Sequence, residues 1–313
     1  MFTFLAHRLL QLVPTVFFVT IIIFGLQQLL PGDPATTMAG EERDPATIAA
    51  IQAKYHLDEP VPVQYFYWIR GVFTGDLGES MRIKQPVAEL VLQKLPVTAQ
   101  LAGMAILIAL TIGIAMGVVS AVKKDTVWDY AANVIALWGI STPNFWLGIL
   151  LIFLFSLTLG ILPPGGYVGP GEDFWGNMAR MVMPAFVLGN AIAAVIMRHT
   201  RGAMLQVLAQ DYVRTARAKG LFERKVVMKH AFRNALTPVI TLGALELGTL
   251  LSGAVLTEQI FTVPGFGKLV VDAVFNRDYF VIQGVVLVTA TVYITLNFLA
   301  DIAYVLVNPR LRS

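Results

Sequence analysis

The chain has no cysteine. That excludes a disulfide frame, a thiolate metal site and a thiol nucleophile. Charge is scarce: Asp, Glu, Lys and Arg make up 14% of the 313 residues, against about 25% in soluble domains. The four histidines, His7, His56, His199 and His230, form no His-Glu-x-x-His pair, so the zinc-protease pattern is missing. No serine sits in a Gly-x-Ser-x-Gly elbow. Gly267-Lys268 lacks the upstream glycine of a phosphate-binding loop and is followed by Leu269, so this chain does not hydrolyse ATP through a P-loop. A net charge of +3 gives no reason to expect nucleic acid as a partner. Neither a bound cofactor nor a metal site is expected, and enzyme readings start weak.

What is present is apolar. Hydrophobic residues make up 56% of the chain and mean hydropathy is +0.69. A bilayer span needs about 20 mainly apolar residues in a helix that satisfies its own backbone. Six stretches qualify: Leu9–Leu30, Thr98–Val122, Asn133–Leu159, Met181–Arg201, Thr237–Thr257 and Phe280–Val307. Pro31, Pro96, Pro163-Pro164, Pro184 and Pro238 stand as breakers at their ends. Pro143 falls inside the third and marks a kink. The expected fold is therefore all-α, a polytopic membrane protein with six transmembrane helices. The first run is longer than the roughly 7–15 apolar residues of a cleaved leader. No Ala-x-Ala site follows it, so it is expected to be a retained span.

Basic residues set the orientation. With the N-terminus inside, 14 of the 23 lysines and arginines fall on segments 1–8, 123–132, 198–236 and 307–313. The reverse topology exports the most basic loop. Both termini are expected on the cytoplasmic side. The organisation expected is a first span (1–30), an extracytoplasmic loop subdomain (31–97), a five-helix core (98–307) with a cytoplasmic loop (202–236), and a short cytoplasmic tail (308–313). Within 31–97, "DPATIAAIQAKYHL" has the Asp44-Pro45 start of a short helix. "PVQYFYWIRGVFTGDLGES" carries aromatics suited to a membrane interface.

The stretch "DYVRTARAKGLFERKVVMKHAFRNALTP" (211–238) carries the densest charge. Val207, Leu208, Tyr212 and Ala216 recur at helical spacing, as do Phe222, Val226, Val227, Ala231 and Phe232. Gly220 lies between these stripes, where a left-handed cap ends a helix. Two short helices meeting at a corner follow. Their outer faces carry Arg214, Arg217, Lys219, Arg224, Lys225, Lys229 and Arg233, against Asp211 and Glu223. Such a loop either rests on anionic membrane lipid, at about 1 kcal/mol per basic residue, or docks a protein.

These residues resemble the cytoplasmic loop of type I ABC importer permeases, in the dipeptide/oligopeptide branch. The broader pattern is Glu-Ala-Ala, three residues, then Gly. Here Arg214-Thr215-Ala216 and Gly220 stand in those positions, so only the second Ala and the Gly match. The wording Arg-Thr-Ala-Arg-Ala-Lys-Gly is that of the peptide-importer branch. "LPGDP" (30–34), "GDLGES" (75–80), "TEQIFTVPGFGKLVVDAV" (257–274), "RDY" (277–279) and "NPRLR" (308–312) are similar to that branch in the same order. Val263 stands where Trp is usual. The layout is similar to the first of two permease subunits.

The resemblance implies a type I ABC importer permease fold in a bacterial or archaeal cytoplasmic membrane. It implies a homologous second permease, two ABC ATPases that use ATP and Mg, an extracytoplasmic solute-binding protein and a peptide substrate. Asp211, Arg214, Thr215, Ala216, Arg217, Ala218, Lys219, Gly220 and Leu221 are then the ATPase-coupling residues. Val263, Pro264, Gly265, Phe266, Gly267 and Lys268 form a turn-rich loop that either closes the fold or faces the binding protein. Nickel chelates and glutathione-type peptides are carried by close relatives of the branch.

Polar residues inside spans are costly and worth weighing. Glu246 is read as the one carboxylate well inside a span. Contact with a substrate's amino group and a hydrogen-bonded or protonated packing role both fit it. Asn144 and Asn190 are candidates for the path, with interhelical hydrogen bonding the plainer role for each. Asp301 is expected to pair with a basic residue. A rival of another class is an ion-coupled secondary transporter with Glu246 or Asp301 as relay.

Overall fold

The computed structural model describes residues 2–29, 32–39 and 44–307. Leu30, Pro31 and the "NPRLR" motif lie outside the described residues, as does the Asp301 side chain. The helices are α1 (Phe2–Gln28), α2 (Pro34–Ala39), α3 (Pro45–Lys54), α4 (Val61–Thr74), α5 (Val87–Val122), α6 (Val127–Ser141) and α7 (Asn144–Leu151, continued as a π-helix over Ile152–Thr158). There follow α8 (Phe174–Leu208), α9 (Asp211–Ala218), α10 (Glu223–Lys225, continued as a π-helix over Val226–Phe232), α11 (Arg233–Gly253), α12 (Val255–Ile260), α13 (Phe266–Phe275) and α14 (Tyr279–Val307). Among the described residues the β contribution is one isolated bridge, Glu79 to Pro86.

Among the described residues, four helices are long and apolar enough to cross a membrane: α1, α5, α8 and α14. The third expected span breaks into α6 and α7, which meet at 102°. Pro143 explains the break. It offers no N–H, and its ring pushes the preceding residue out of the helical region; Thr142 is extended, with ψ 119°. Counting the bent pair as one span gives five. The fifth expected span appears as a shorter apolar stretch, Pro238–Gly248, inside α11. Three prolines expected at span ends lie inside helices instead: Pro96 in α5, Pro184 in α8 and Pro238 in α11. Each gives up one backbone bond, which these long apolar helices tolerate.

Contacts divide the chain into two units. Of the described residues, one comprises 99–263 and 295–307, the other 2–29, 32–39, 44–98 and 264–294. The described part of 31–97, expected as a loop subdomain, thus falls in the second unit with α1 and with 264–294.

In the first unit, small residues let helices approach. A Cβ on Gly113 would lie 2.6 Å from the Ala193 carbonyl oxygen, and one on Gly117 would lie 2.6 Å from Thr200 Cβ. Gly113 and Gly117, one helical turn apart, therefore form the seam between α5 and α8. Ala132 and Ala136 of α6 pack with Ala194 and Met197 of α8. Lipid is as apolar as these side chains, so close van der Waals fit, rather than water exclusion, holds such a seam.

In the second unit, α3 starts at Pro45 after an extended Asp44, as expected from proline's fixed φ. α4 lies against α1: Tyr65 and Trp68 meet Phe24 at 5.5 and 5.7 Å between ring centroids. The Thr20 and Tyr65 hydroxyls are 2.8 Å apart. Val87, Leu90, Val91, Phe266, Ala273, Val281 and Val285 form this unit's buried core.

Candidate functional site

The expected corner forms. α9 ends at Ala218, and Gly220 takes φ +73°. The Gly220 N–H donates to the Arg217 carbonyl at 2.9 Å, and the Leu221 N–H to the Ala216 carbonyl at 3.4 Å. This double bond pattern with a left-handed residue is a Schellman cap. It turns the chain sharply. Leu221 then packs back on buried Val213, Ala216 and Val226, with Val207 and Leu208 completing the cluster. A Cβ on Gly220 would meet nothing within 4 Å. Glycine is needed there for its backbone, and the space outside the corner is open.

Charge reinforces the corner. Arg217 reaches across it to Glu223 with two bonds, Nη2 to Oε1 at 2.7 Å and Nε to Oε2 at 3.1 Å. Those bonds hold the Glu223 carboxyl below its ordinary range and raise Arg217. Both side chains are about half exposed, so the pair contributes at most about 1 kcal/mol. Asn234 donates to the Tyr212 hydroxyl at 2.8 Å and to the His230 carbonyl at 3.0 Å, tying α9 to the start of α11.

The stripes differ in detail from expectation. Val213 is fully buried, whereas Tyr212 is 43% exposed because its hydroxyl serves that bridge. Phe222 stands 85% exposed rather than packed. Arg214, Arg217, Lys219, Arg224, Lys225, Lys229 and Arg233 are all exposed. Of the named coupling residues, Ala216 faces the core and Leu221 is half-buried, while Asp211, Arg214, Thr215, Arg217, Ala218, Lys219 and Gly220 face out.

The remaining candidates do not gather in one place. Asn190 of α8 donates to the Gly139 carbonyl of α6 at 3.3 Å, an interhelical tie. Asn144 opens α7 and Glu246 lies in α11; both are half-buried. The segment 263–268 is not an open loop. Val263, Gly265, Phe266 and Gly267 are buried, and Pro264 and Lys268 are half-buried. The Phe266 N–H donates to Thr98 Oγ1 at 2.7 Å and α13 starts there. Phe266 is apolar and packs in the core of its unit, which is why this segment folds in.

Two carboxylates escaped the sequence reading. Asp129 lies on the expected connecting segment 123–132, but α6 begins at Val127 and buries it. It meets Arg201 of α8, Ser120 of α5 and Asn133 one turn on. Asp278, from "RDY", is also buried. It accepts from the Ser80 hydroxyl at 2.5 Å and from the Met81 N–H at 3.2 Å. "GDLGES" and "RDY" thus form one joint. An i, i+4 Asp-Asn pair at 129 and 133 was the only local hint for the first, and nothing local signalled the second.

Residues 96–313 match the family of binding-protein-dependent transport system inner membrane components, and residues 1–102 match the N-terminal family of the same transport-system membrane components. The di/tripeptide transport system permease protein DppB of Pseudomonas aeruginosa (strain UCBPP-PA14) is 43% identical, over 100% of this chain and 99% of that protein. The dipeptide transport system permease protein DppB of Escherichia coli (strain K12) is 42% identical with the same coverage. A putative peptide transport system permease protein of Brucella abortus (strain 2308) is 42% identical, over 97% of each. Among solved structures, an inward-facing form of the MetNI methionine ABC transporter has a TM-score of 0.57 at 18% identity, covering 70% of this chain and 96% of that one. At that identity it speaks to fold alone. With its apolar helices and basic corner, the chain belongs to the binding-protein-dependent transport system inner membrane component family, as a multi-pass permease subunit of an ABC importer rather than an enzyme.

Proposed function

We propose that this permease carries dipeptides or oligopeptides into the cytoplasm. The end-to-end identity of 42–43% to peptide permeases is the observation that carries this reading. It works as the first of two homologous permease subunits. Two ABC ATPases bind ATP and Mg, and an extracytoplasmic binding protein delivers substrate. Both termini lie in the cytoplasm of a bacterial or archaeal cell, as the basic residues favour.

The Gly220 corner is the coupling element. Arg214, Thr215, Arg217, Ala218, Lys219 and Gly220 present its outward face, and Phe222, 85% exposed, offers an apolar anchor amid the charge. Ala216 and Leu221 hold the corner together from inside. A rigid corner passes a displacement of the ATPase pair to α8 and α11, which flank it in the chain. The helices then exchange between inward-open and outward-open states, each favoured by different ligands. Glu246 and Asn144 remain candidates for the path; Asn190 serves packing. The burial of Val263, Gly265, Phe266 and Gly267 argues against a docking surface there, which leaves half-buried Pro264 and Lys268 as that segment's candidate contacts.

The test is uptake by proteoliposomes holding the whole transporter and its binding protein. Labelled dialanine is expected to accumulate only with internal ATP and to ignore uncouplers. Uptake of nickel chelate with none of dialanine would overturn the peptide reading, and uncoupler-sensitive transport without ATPases would overturn the importer mechanism.

A further inference from the structure

The unit formed by 2–98 and 264–294 encloses a cavity of about 420 Å³, inside the range of about 300–1,000 Å³ typical of small-molecule sites. None of its lining residues is a coupling residue or a candidate path residue. α1, α3, α4, the segments at 32–34 and 76–78, and the start of α14 wall it.

Its polar groups carry unspent bonding capacity. Gln283 is 3% exposed and makes no side-chain hydrogen bond among the described residues. Gln27 Oε1 is buried with no partner among them. Both line the cavity. A buried amide without a partner is costly, and an amide-bearing ligand satisfies both donor and acceptor. Charges of both signs accompany them. Asp33 and Asp76 each spend Oδ1 on a backbone N–H, that of Ala35 at 3.0 Å and of Gly78 at 2.9 Å. Each keeps Oδ2 for another donor. Lys54 supplies an ammonium group, 3.9 Å from Glu79 and with its side chain 65% exposed.

A ligand matching this set has an ammonium group for Asp33 and Asp76, an anionic oxygen group for Lys54 and a peptide group for the two glutamines. We propose that the cavity is a receiving site for short zwitterionic peptides, walled by the end of α1 and the start of α14 together with the segments at 32–34, 54–57 and 76–78. The proposal rests on the peptide-importer reading and adds a second binding position to it. A phosphatidylethanolamine headgroup shares the ammonium and anionic groups but lacks the peptide bond.

Binding of labelled dialanine to the full transporter decides it, measured without the binding protein in nanodiscs free of phosphatidylethanolamine. Saturable binding is expected, weakened at least tenfold by Gln283→Leu and by Lys54→Gln. N-acetyl-dialanine amide, which lacks both charges, should fail to compete. Lys54 is exposed, so its variant folds even where Gln283→Leu does not. No saturable binding, or equal binding in wild type and Lys54→Gln, overturns the proposal. Loss of binding when phosphatidylethanolamine is added gives the cavity to lipid and overturns it too. ATP-driven dialanine uptake by the complete transporter reads the broader function separately: uptake with a null binding assay removes the cavity proposal alone.

Discussion

Asp129 and Arg201 meet in a two-point ion pair, with Arg201 Nε 2.8 Å from one carboxylate oxygen and Nη2 2.8 Å from the other. The pair joins α6 to α8, and Ser120 adds α5 through its hydroxyl. Asp129 is nearly sealed, its side chain 3% exposed, while Arg201 keeps 26% of its side chain exposed. That asymmetry sets the cost of breaking it. Arg201→Leu strands a buried carboxylate, which costs about 3–5 kcal/mol. Asp129→Asn leaves a guanidinium that still reaches solvent, and costs less. The double variant should be milder than the sum of the two. Thermal unfolding of the three variants in detergent checks this order.

Gly220 separates a backbone role from a surface role. Its left-handed conformation costs about 1–2 kcal/mol for an ordinary residue, and asparagine tolerates it better. Gly220→Asn should keep both stability and coupled transport. Gly220→Ala should lose about 1 kcal/mol of local stability with a small loss of uptake. Gly220→Trp adds bulk to the open space outside the corner, so the protein should insert normally while ATP hydrolysis proceeds without uptake. Parallel ATPase and uptake assays give the comparison, and full uptake by the Trp variant would sink the docking role of this corner.

The contrast between these two features shows what a sequence can carry. The corner was legible because its signals are local: two apolar stripes, a glycine between them and basic residues outside. Asp129 and Arg201 lie 72 positions apart, and neither position announces the other. The charged residues at 123–125 and Asp129 read as a loop up to Asn133, although the helix resumes at Val127. The Pro and Gly content of segment 263–268 marks a turn-rich loop but leaves open whether it closes the fold or faces a partner; Phe266 packs in a core assembled from distant helices. Pro143 bends its span where a kink is expected, while Pro96 and Pro184, expected as breakers at span ends, sit inside helices whose other backbone bonds persist.

Asp278 acts as a cap for the turn at 80–83. One carboxylate oxygen accepts from the Ser80 hydroxyl and the Arg82 N–H, and the other accepts from the Met81 N–H. Asp278→Ala leaves these buried donors without an acceptor, at about 1–3 kcal/mol for each one stranded. Asp278→Asn keeps one acceptor oxygen and should fall between. Limited proteolysis within 75–86 should rise in the order wild type, Asn, Ala, with transport falling in the same order.

The Arg217–Glu223 pair makes a small pH-dependent contribution. Glu223 is held below its ordinary value near 4.5 by its hydrogen bonds to Arg217. The stabilisation is therefore fully present above that ordinary value and is lost as pH falls through the lowered folded value. At pH 7 Glu223→Gln should cost less than about 1 kcal/mol, since the pair is screened by solvent. The two melting temperatures should converge as pH is lowered below 4.5. A gap that widened on acidification would contradict the assigned cause.

Close approach along α5 predicts opposite effects for chemically identical changes. Gly117 faces α8, where an added Cβ would lie 2.6 Å from Thr200 Cβ and 2.7 Å from the Met197 carbonyl oxygen. The second neighbour is backbone and cannot rotate away. Gly117→Ala must push the helices apart and should cost about 1–3 kcal/mol. Gly103, on the same helix, has nothing within 4 Å of such a Cβ. Gly103→Ala only removes a flexible residue from a helix and should gain up to about 1 kcal/mol. Because α8 runs from this seam to Leu208, three residues before α9, the Gly117 variant should also lower uptake more than its loss of folded protein explains. Melting temperature and uptake per folded molecule for the two alanine variants give the readout. Equal behaviour at positions 103 and 117 would show that the seam does not hold α5 to α8.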